Sequence, residues 1–235
     1  AYKETKEIST PTRAGYDFAG WEVSGEESKI ENNIFTMGKG GASLKATWSA
    51  KSYTITYNCN GGSGSTASSS HTYGVAKNLS SNGCYKITEG TSGMLYSFAG
   101  WSTNSSASTA TYADGQSVSG VGSGANVTLY AIWKNYFSYT GSYNVISDGS
   151  GNWRIKLLSS GTLNINYATT IDLFLVGGGG GGSERLAGAG GGYTRTIKSI
   201  LTEANSSKEI VVGKGGSYQS AGSESSAWGY KAAGG

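Results

Sequence analysis

The chain has 235 residues, 39 of them glycine and one proline, with 14% charged residues and a formal net charge of +3. That length allows two or three small domains, and 16 Tyr, 6 Trp and 5 Phe supply cores that a disordered chain lacks. Glycine takes no period of three, which excludes collagen. No 18-residue apolar run exists, which argues against membrane insertion, and Lys and Arg are scattered, which argues against nucleic-acid binding.

The predicted elements are strands throughout. "GYDFAGW" (Gly15–Trp21) is followed by "LKATW", where Leu44, Ala46 and Trp48 share a face. "YTITY" puts Tyr53, Ile55 and Tyr57 on one face and Thr54 and Thr56 on the other, and "NGG" at Asn60–Gly62 is a turn signal. "KNLSSNGC" (Lys77–Cys84) has room for one helical turn at most. "LYSFAGW" (Leu95–Trp101) then restates the first motif, and "LYAIW" aligns Leu129, Ala131 and Trp133 on one face. Phe18 and Phe98 stand 80 positions apart, and Trp48 and Trp133 stand 85 apart. These are tandem repeats with residues gained in two loops of the second copy. The leading "YTITYNCNGGSGS" has no counterpart before Ala1, so the chain is expected to begin inside a repeat. Trp21, Trp48, Trp101 and Trp133 recur at equivalent positions, as core aromatics would.

From about Tyr136 the texture changes. "NWRIKLL" aligns Trp153, Ile155 and Leu157, and "GTLNINY" aligns Leu163, Ile165 and Tyr167. "IDLFLV" reads as a buried strand, and "YTRTIKS" and "KEIVVGKGG" as further strands. Between them lie glycine tracts at Gly177, Gly178, Gly179, Gly180, Gly181 and Gly182, at Gly190, Gly191 and Gly192, and at Gly215 and Gly216. Three readings are open: a phosphate loop, a flexible linker, or an ordered element only glycine can build. Gly177, Gly179 and Gly182 do satisfy G-x-G-x-x-G. A dinucleotide loop needs a helix next, however, and only "SERLA" intervenes before glycine resumes at Gly188. "GKGG" at Gly213 lacks the magnesium-binding hydroxyl after Lys214. Linkers join domains, whereas these tracts recur between strands of one domain.

Two resemblances rest on these residues. The tyrosine-led strand, the "NGG" turn, "FAGW" and "LYAIW" resemble the Listeria–Bacteroides repeat, the family of the internalin B repeats. The resemblance implies small β-grasp-like units on secreted, cell-surface or phage-encoded proteins: a truncated copy over 1–50 and a complete one over 51–134. The inserted "CYKITEGTSGML" departs from the family pattern. The segment 135–235 is similar to the glycine-rich domain of phage tail adhesins, bacterial surface proteins and anaplastic lymphoma kinase-type receptor ectodomains. That resemblance implies a jelly-roll-like β scaffold with bundled polyglycine II helices, whose backbone groups bond one another where no Cβ intervenes. "KAAGG" at the end looks like the start of a further tract.

The chemistry of catalysis is sparse. His71, the only histidine, reads as a loop residue in "SSSHTYG". Two Cys and one His assemble no zinc set. "DGSGNW" (Asp148–Trp153) starts like a calcium loop but has Trp153 where glycine is required, so a turn is expected. Cys59 and Cys84, both in the complete repeat, are expected to form a disulfide in a secreted protein, two buried thiols being the alternative. Tyr143, Tyr218, Trp228 and Tyr230 are less patterned and are read as ligand-facing aromatics. The expected function is a non-catalytic adhesion or receptor-binding segment of a modular bacterial surface or phage tail protein. Its repeats serve as stalk and its glycine-rich domain as head, with a protein or glycan receptor as partner and no cofactor or metal. A purely structural spacer and a non-catalytic part of a secreted enzyme are the alternatives.

Overall fold

A computed structural model of the chain describes residues 1–183 and 190–235. Among these residues there are 23 strands, one 3-10 turn at Gly122–Gly124 and no α-helix, so the fold is all β. The expectation that "SERLA" forms no helix falls on 184–187 and lies outside the described residues. Two compact units result. One holds Ala1–Asn60, Ser65–Gly83 and Gly100–Ala131; the other holds Gly61–Gly64, Cys84–Ala99 and Ile132–Gly235.

The first unit opens with a long antiparallel hairpin of Tyr16–Glu26 and Lys39–Ala50. Phe18 lies opposite Trp48, and its ring meets Trp48 edge-on at 5.8 Å and Trp21 at 5.4 Å. The register slips between Phe18 and Gly20, where Gly20 takes a φ of 138°. The bulge needs a residue without Cβ strain at positive φ, which explains the glycine inside "FAGW". Further along, Ser52–Asn58 pairs in parallel with Val127–Tyr130 and antiparallel with Ser69–Thr72. Tyr53, Ile55, Leu129 and Ala131 are buried there as their alternation predicts, and Tyr57 is half-buried. Trp101 is fully buried with its ring 4.8 Å from that of Tyr57, while Trp21 and Trp48 are half-buried. Gly100 repeats the conformation of Gly20, with a φ of 124°. In "KNLSSNGC" no helical turn forms. Lys77–Asn78 pairs with Ser117–Val118, and the Leu79 amide donates to the Gln116 carbonyl at 2.9 Å, so this stretch is held extended.

His71 is not a loop residue. It lies in the strand Ser69–Thr72 with 2% of its surface exposed, because its position alternates inward. Its ring stacks on Tyr53 at 5.7 Å, and Nε2 is 2.9 Å from the Ser69 hydroxyl. Nδ1 is buried and has no partner among the described residues.

In the second unit, Cys84–Thr88 pairs with Met94–Tyr96, and Ser63–Gly64 pairs with Cys84–Tyr85. Asn60 and Gly61, at φ of 50° and 78°, make the expected turn. Phe98 meets Trp133 edge-on at 5.8 Å, the same aromatic pair as Phe18 and Trp48. Beyond Trp133, a five-stranded sheet orders Phe137–Tyr139, Gly161–Ile165, Ser206–Val211, Ser225–Ala227 and Tyr230–Ala232. Tyr143–Gly149 and Asn152–Leu157 form a hairpin closed by Ser150 and Gly151 at φ of 51° and 82°. This is the turn expected of "DGSGNW", and the Asp148 carboxylate accepts from Arg154 Nε and Nη2. Thr169–Val176 and Thr194–Thr202 form a separate two-stranded sheet. Leu95, Phe137, Val145, Leu163, Ile165, Leu175 and Ile210 make the core. The strand Thr169–Val176 is not buried on both faces, however. Only one face packs on the core, through Leu173 and Leu175, leaving Phe174 at 64% and Val176 at 50% exposure.

Both cysteines are disulfide-bonded, and the chain has only these two. Reduction should therefore destabilise the fold by about 3–4 kcal/mol in the chain-entropy model, read as a drop in the denaturation midpoint with reductant. A midpoint that ignores reductant would contradict it.

His71 gives a second expectation. Burial, then the charge of Lys77, holds its imidazole below the ordinary histidine range. The unfolded chain therefore takes up the proton first. Stability is full above the unfolded value of about 6.5 and falls as pH drops through that value toward the folded one. Thermal melts from about pH 7.5 down to about pH 5.5 should show this loss in the wild type and a shallower one in His71→Gln. Parallel curves would assign the loss to other groups.

Candidate functional site

The strand Thr169–Val176 runs directly into the glycine tract, so six residues without side chains leave the sheet together. Their backbone groups find partners on four other segments. The amides of Gly177 and Gly180 donate to the carbonyls of Tyr193 and Gly190, at 2.9 and 2.8 Å. Those of Gly178 and Gly181 donate to Ser223 and Ser220, at 2.9 and 2.8 Å. The carbonyls of Gly179 and Gly182 accept from Gly216 and Gln219, at 2.7 and 3.3 Å, and Gly235 donates to Gly178 at 2.9 Å. The same partner segment thus returns every three residues along the tract. Outer segments also bond each other: Gly222 donates to Gly235 and Tyr193 to Ala233. Ser225 ties the bundle to the sheet, its hydroxyl donating to the Val176 carbonyl and accepting from the Gly213 amide.

Only missing side chains permit this approach. A Cβ on Gly177 would strike the Ala233 carbonyl, one on Gly178 the Lys214 carbonyl, and one on Gly181 the Ser217 carbonyl. At Gly180 the nearest atom would be the Gly235 carbonyl oxygen at 2.9 Å, and at Gly179 the Gly190 oxygen at 3.4 Å. At Gly182 and Gly191 nothing among the described residues lies within 4 Å. Gly192 is closed by the Gly177 carbonyl and Gly216 by that of Ser220, while Gly215 has the Gly179 oxygen at 3.6 Å. Four amides of the tract are already spent on protein carbonyls, which removes them from any phosphate cradle.

The aromatics read as ligand-facing fall in different places. Tyr218 is 58% exposed on the short loop between Gly216 and Gly222. Trp228 and Tyr230 are half-buried against the core at a tight hairpin, where Trp228 and Gly229 take φ of 50° and 77°. The Arg195 guanidinium lies 5.1 Å from the Tyr230 ring. Tyr143 faces inward, not toward a ligand. It shares the inner side of its strand with Val145, and its ring packs 5.3 Å from Phe137. Sequence reasoning missed Phe174, Tyr193 and Leu201, which are 64%, 68% and 75% exposed. Asp172, between Ile171 and Leu173, was the available sign that alternate positions of that strand face water.

Residues 1–46 and 53–132 match the Listeria-Bacteroides repeat domain, and residues 157–235 match a glycine-rich domain. No curated protein and no solved structure matches the chain.

Substitutions along the tract should separate by contact rather than by composition. Gly178→Ala and Gly181→Ala are expected to cost about 1–3 kcal/mol or more, as overpacking against fixed carbonyls does. Gly182→Ala should be neutral or stabilising by up to about 1 kcal/mol through the unfolded state. Denaturant midpoints decide this, and three equal midpoints would return the tract to an ordinary loop.

Proposed function

The chain belongs to the Listeria-Bacteroides repeat domain family over more than half its length. From that premise we propose a non-catalytic adhesion or receptor-binding segment, with the repeats as stalk and the glycine-rich domain as head. Together the two kinds of domain make a segment of a modular surface protein, and the disulfide fits an oxidising, extracellular setting. A bacterial surface or a virion is the setting we infer.

The observation that carries this reading is where exposed apolar side chains concentrate. Of the ten large ones among the described residues, seven lie between Leu158 and Tyr218 and three in the repeats. Exposed apolar and aromatic groups mark interaction surfaces. The base beneath them is, in our reading, a bundle of polyglycine II helices. Recurrence of partners every three residues supports it, since an extended left-handed helix has three residues per turn. None of the tract's glycines takes a φ between +20° and +160°, which agrees with that conformation. A stiff base lowers the ordering cost that loops such as Ser217–Ser220 would meet on binding.

Fluorescently labelled chain, titrated onto panels of bacterial and animal cells, tests the proposal. Saturable binding that weakens in Tyr218→Ala and Phe174→Ser is expected. Signal that never saturates on any cell type would make the chain a spacer.

A further inference from the structure

We propose that Lys51 and Tyr136 are rigid joints, and that the exit end of each repeat is a docking surface for the β-module that follows it. Both residues are one-residue linkers. Lys39–Ala50 closes the first repeat and Ser52–Asn58 opens the second, with Lys51 alone between them. Val127–Asn135 closes the second repeat and Phe137–Tyr139 opens the next segment, with Tyr136 alone between them. Lys51 is the third residue after Trp48 and Tyr136 the third after Trp133, so the repeat puts them at equivalent positions.

At each joint one peptide unit is shared between neighbours. The Lys51 amide donates back to the Gly15 carbonyl at 3.0 Å, and the Lys51 carbonyl accepts from the Tyr73 amide at 2.9 Å. The Tyr136 amide donates back to the Leu95 carbonyl at 2.8 Å, and its carbonyl accepts from the Asn166 amide at 3.0 Å. Gly15 and Leu95 begin the same motif, "GYDFAGW" and "LYSFAGW". Tyr73 and Asn166 each follow the strand that pairs with the opening strand of their module: Ser69–Thr72 against Ser52–Asn58, and Gly161–Ile165 against Phe137–Tyr139. One clasp lies wholly inside the first compact unit and the other wholly inside the second. The first receives another repeat and the second receives a different domain. All that the two share on the receiving side is a backbone N–H at the end of an antiparallel ladder. That defines the partner: a module that opens with such a ladder and has no proline at the donor position.

Side chains close each joint further. The Tyr16 and Tyr73 rings meet edge-on at 5.4 Å, and a Cβ on Gly15 would strike the Tyr73 ring. A Cβ on Gly124 would stand 3.0 Å from the Gly15 α-carbon and 3.3 Å from the Lys51 β-carbon. At the second joint the Tyr136 ring packs 5.7 Å from Trp153 and 6.1 Å from Tyr167, and the Asn166 side-chain amide donates to the Asn135 carbonyl at 2.9 Å. Modules on flexible linkers move independently. Here both backbone groups of the only linker residue are bonded to protein, which holds the joint fixed.

Backbone NMR of the whole chain tests this. The amides of Lys51, Tyr73, Tyr136 and Asn166 should exchange at least about a hundredfold more slowly than an open-loop amide. Residual dipolar couplings should fit one alignment tensor across Lys51 within the first unit, and one across Tyr136 within the second. Two glycines inserted after Lys51 keep every residue of both repeats but part the Lys51 carbonyl from Tyr73. In that variant the tensors on either side should separate, or the first repeat should lose exchange protection that docking had supplied. Loop-rate exchange at the four amides, separate tensors in the wild type, or an insertion that changes neither tensor nor protection would each overturn the inference. The joints go beyond the adhesion reading: cell binding does not enter these measurements, so either can fail while the other stands.

Discussion

The glycine-rich domain depends on one steric constraint: carbonyl oxygens occupy the space where side chains would begin. At Gly177, Gly178 and Gly181 the neighbouring backbone fills that space, and at Gly192 and Gly222 the relation is reciprocated, their Cβ positions meeting the carbonyls of Gly177 and Gly178. Glycine loses more conformational freedom on ordering than any other residue, so six in a row is a heavy entropic load. The offset comes from hydrogen bonds made among the segments, with Ser223 and Ser225 closing gaps at the edges. A single added methyl displaces a carbonyl that is itself bonded elsewhere, so the cost spreads beyond the substituted residue. The sheets feed this assembly directly, because the strand ending at Val176 enters the tract and the strand starting at Thr194 leaves it.

The repeats solve a different problem, that of small size. A unit with few buried residues cannot rely on area alone. Each copy concentrates its packing in an aromatic pair set near a glycine at positive φ: Phe18 with Trp48 near Gly20, and Phe98 with Trp133 near Gly100. In the first copy the register slips between Phe18 and Gly20, and Trp21 then meets Phe18 edge-on at 5.4 Å. In the longer copy a disulfide adds covalent support. Trp101 is wholly buried whereas Trp21 is half-buried, so the same motif serves a deeper core in one copy than in the other.

Strand alternation was legible wherever one face was covered, as at Tyr53 and Ile55 or Leu163 and Ile165. It misled where only composition was weighed. "IDLFLV" is apolar enough to pass for a doubly buried strand, yet one ladder and one covered face leave Phe174 in water. His71 sits among serines and looks solvated, but its parity in a short strand turns it inward onto Tyr53. Tyr143 lacks a repeat partner and therefore looked functional, although the parity it shares with Val145 makes it core. The surface depression lined by Trp133, Asn135, Asn166, Tyr167 and Asn205 was not legible at all. Its residues come from three separate turns and strand ends, and no local pattern in the sequence joins Asn135 to Asn205.

The backbone bonding of the glycine segments also bears on how such a domain can evolve. Where carbonyls press on α-carbons, selection has a single acceptable residue and no room for drift. The loop Ser217–Ser220 is under no such restriction at its side chains, because it attaches through its backbone, the Ser220 carbonyl accepting from Gly181 and the Gln219 amide donating to Gly182. A lineage can therefore rewrite the exposed tip around Tyr218 while inheriting the base unchanged. The architecture separates a frozen alphabet from a free one within a few residues of each other.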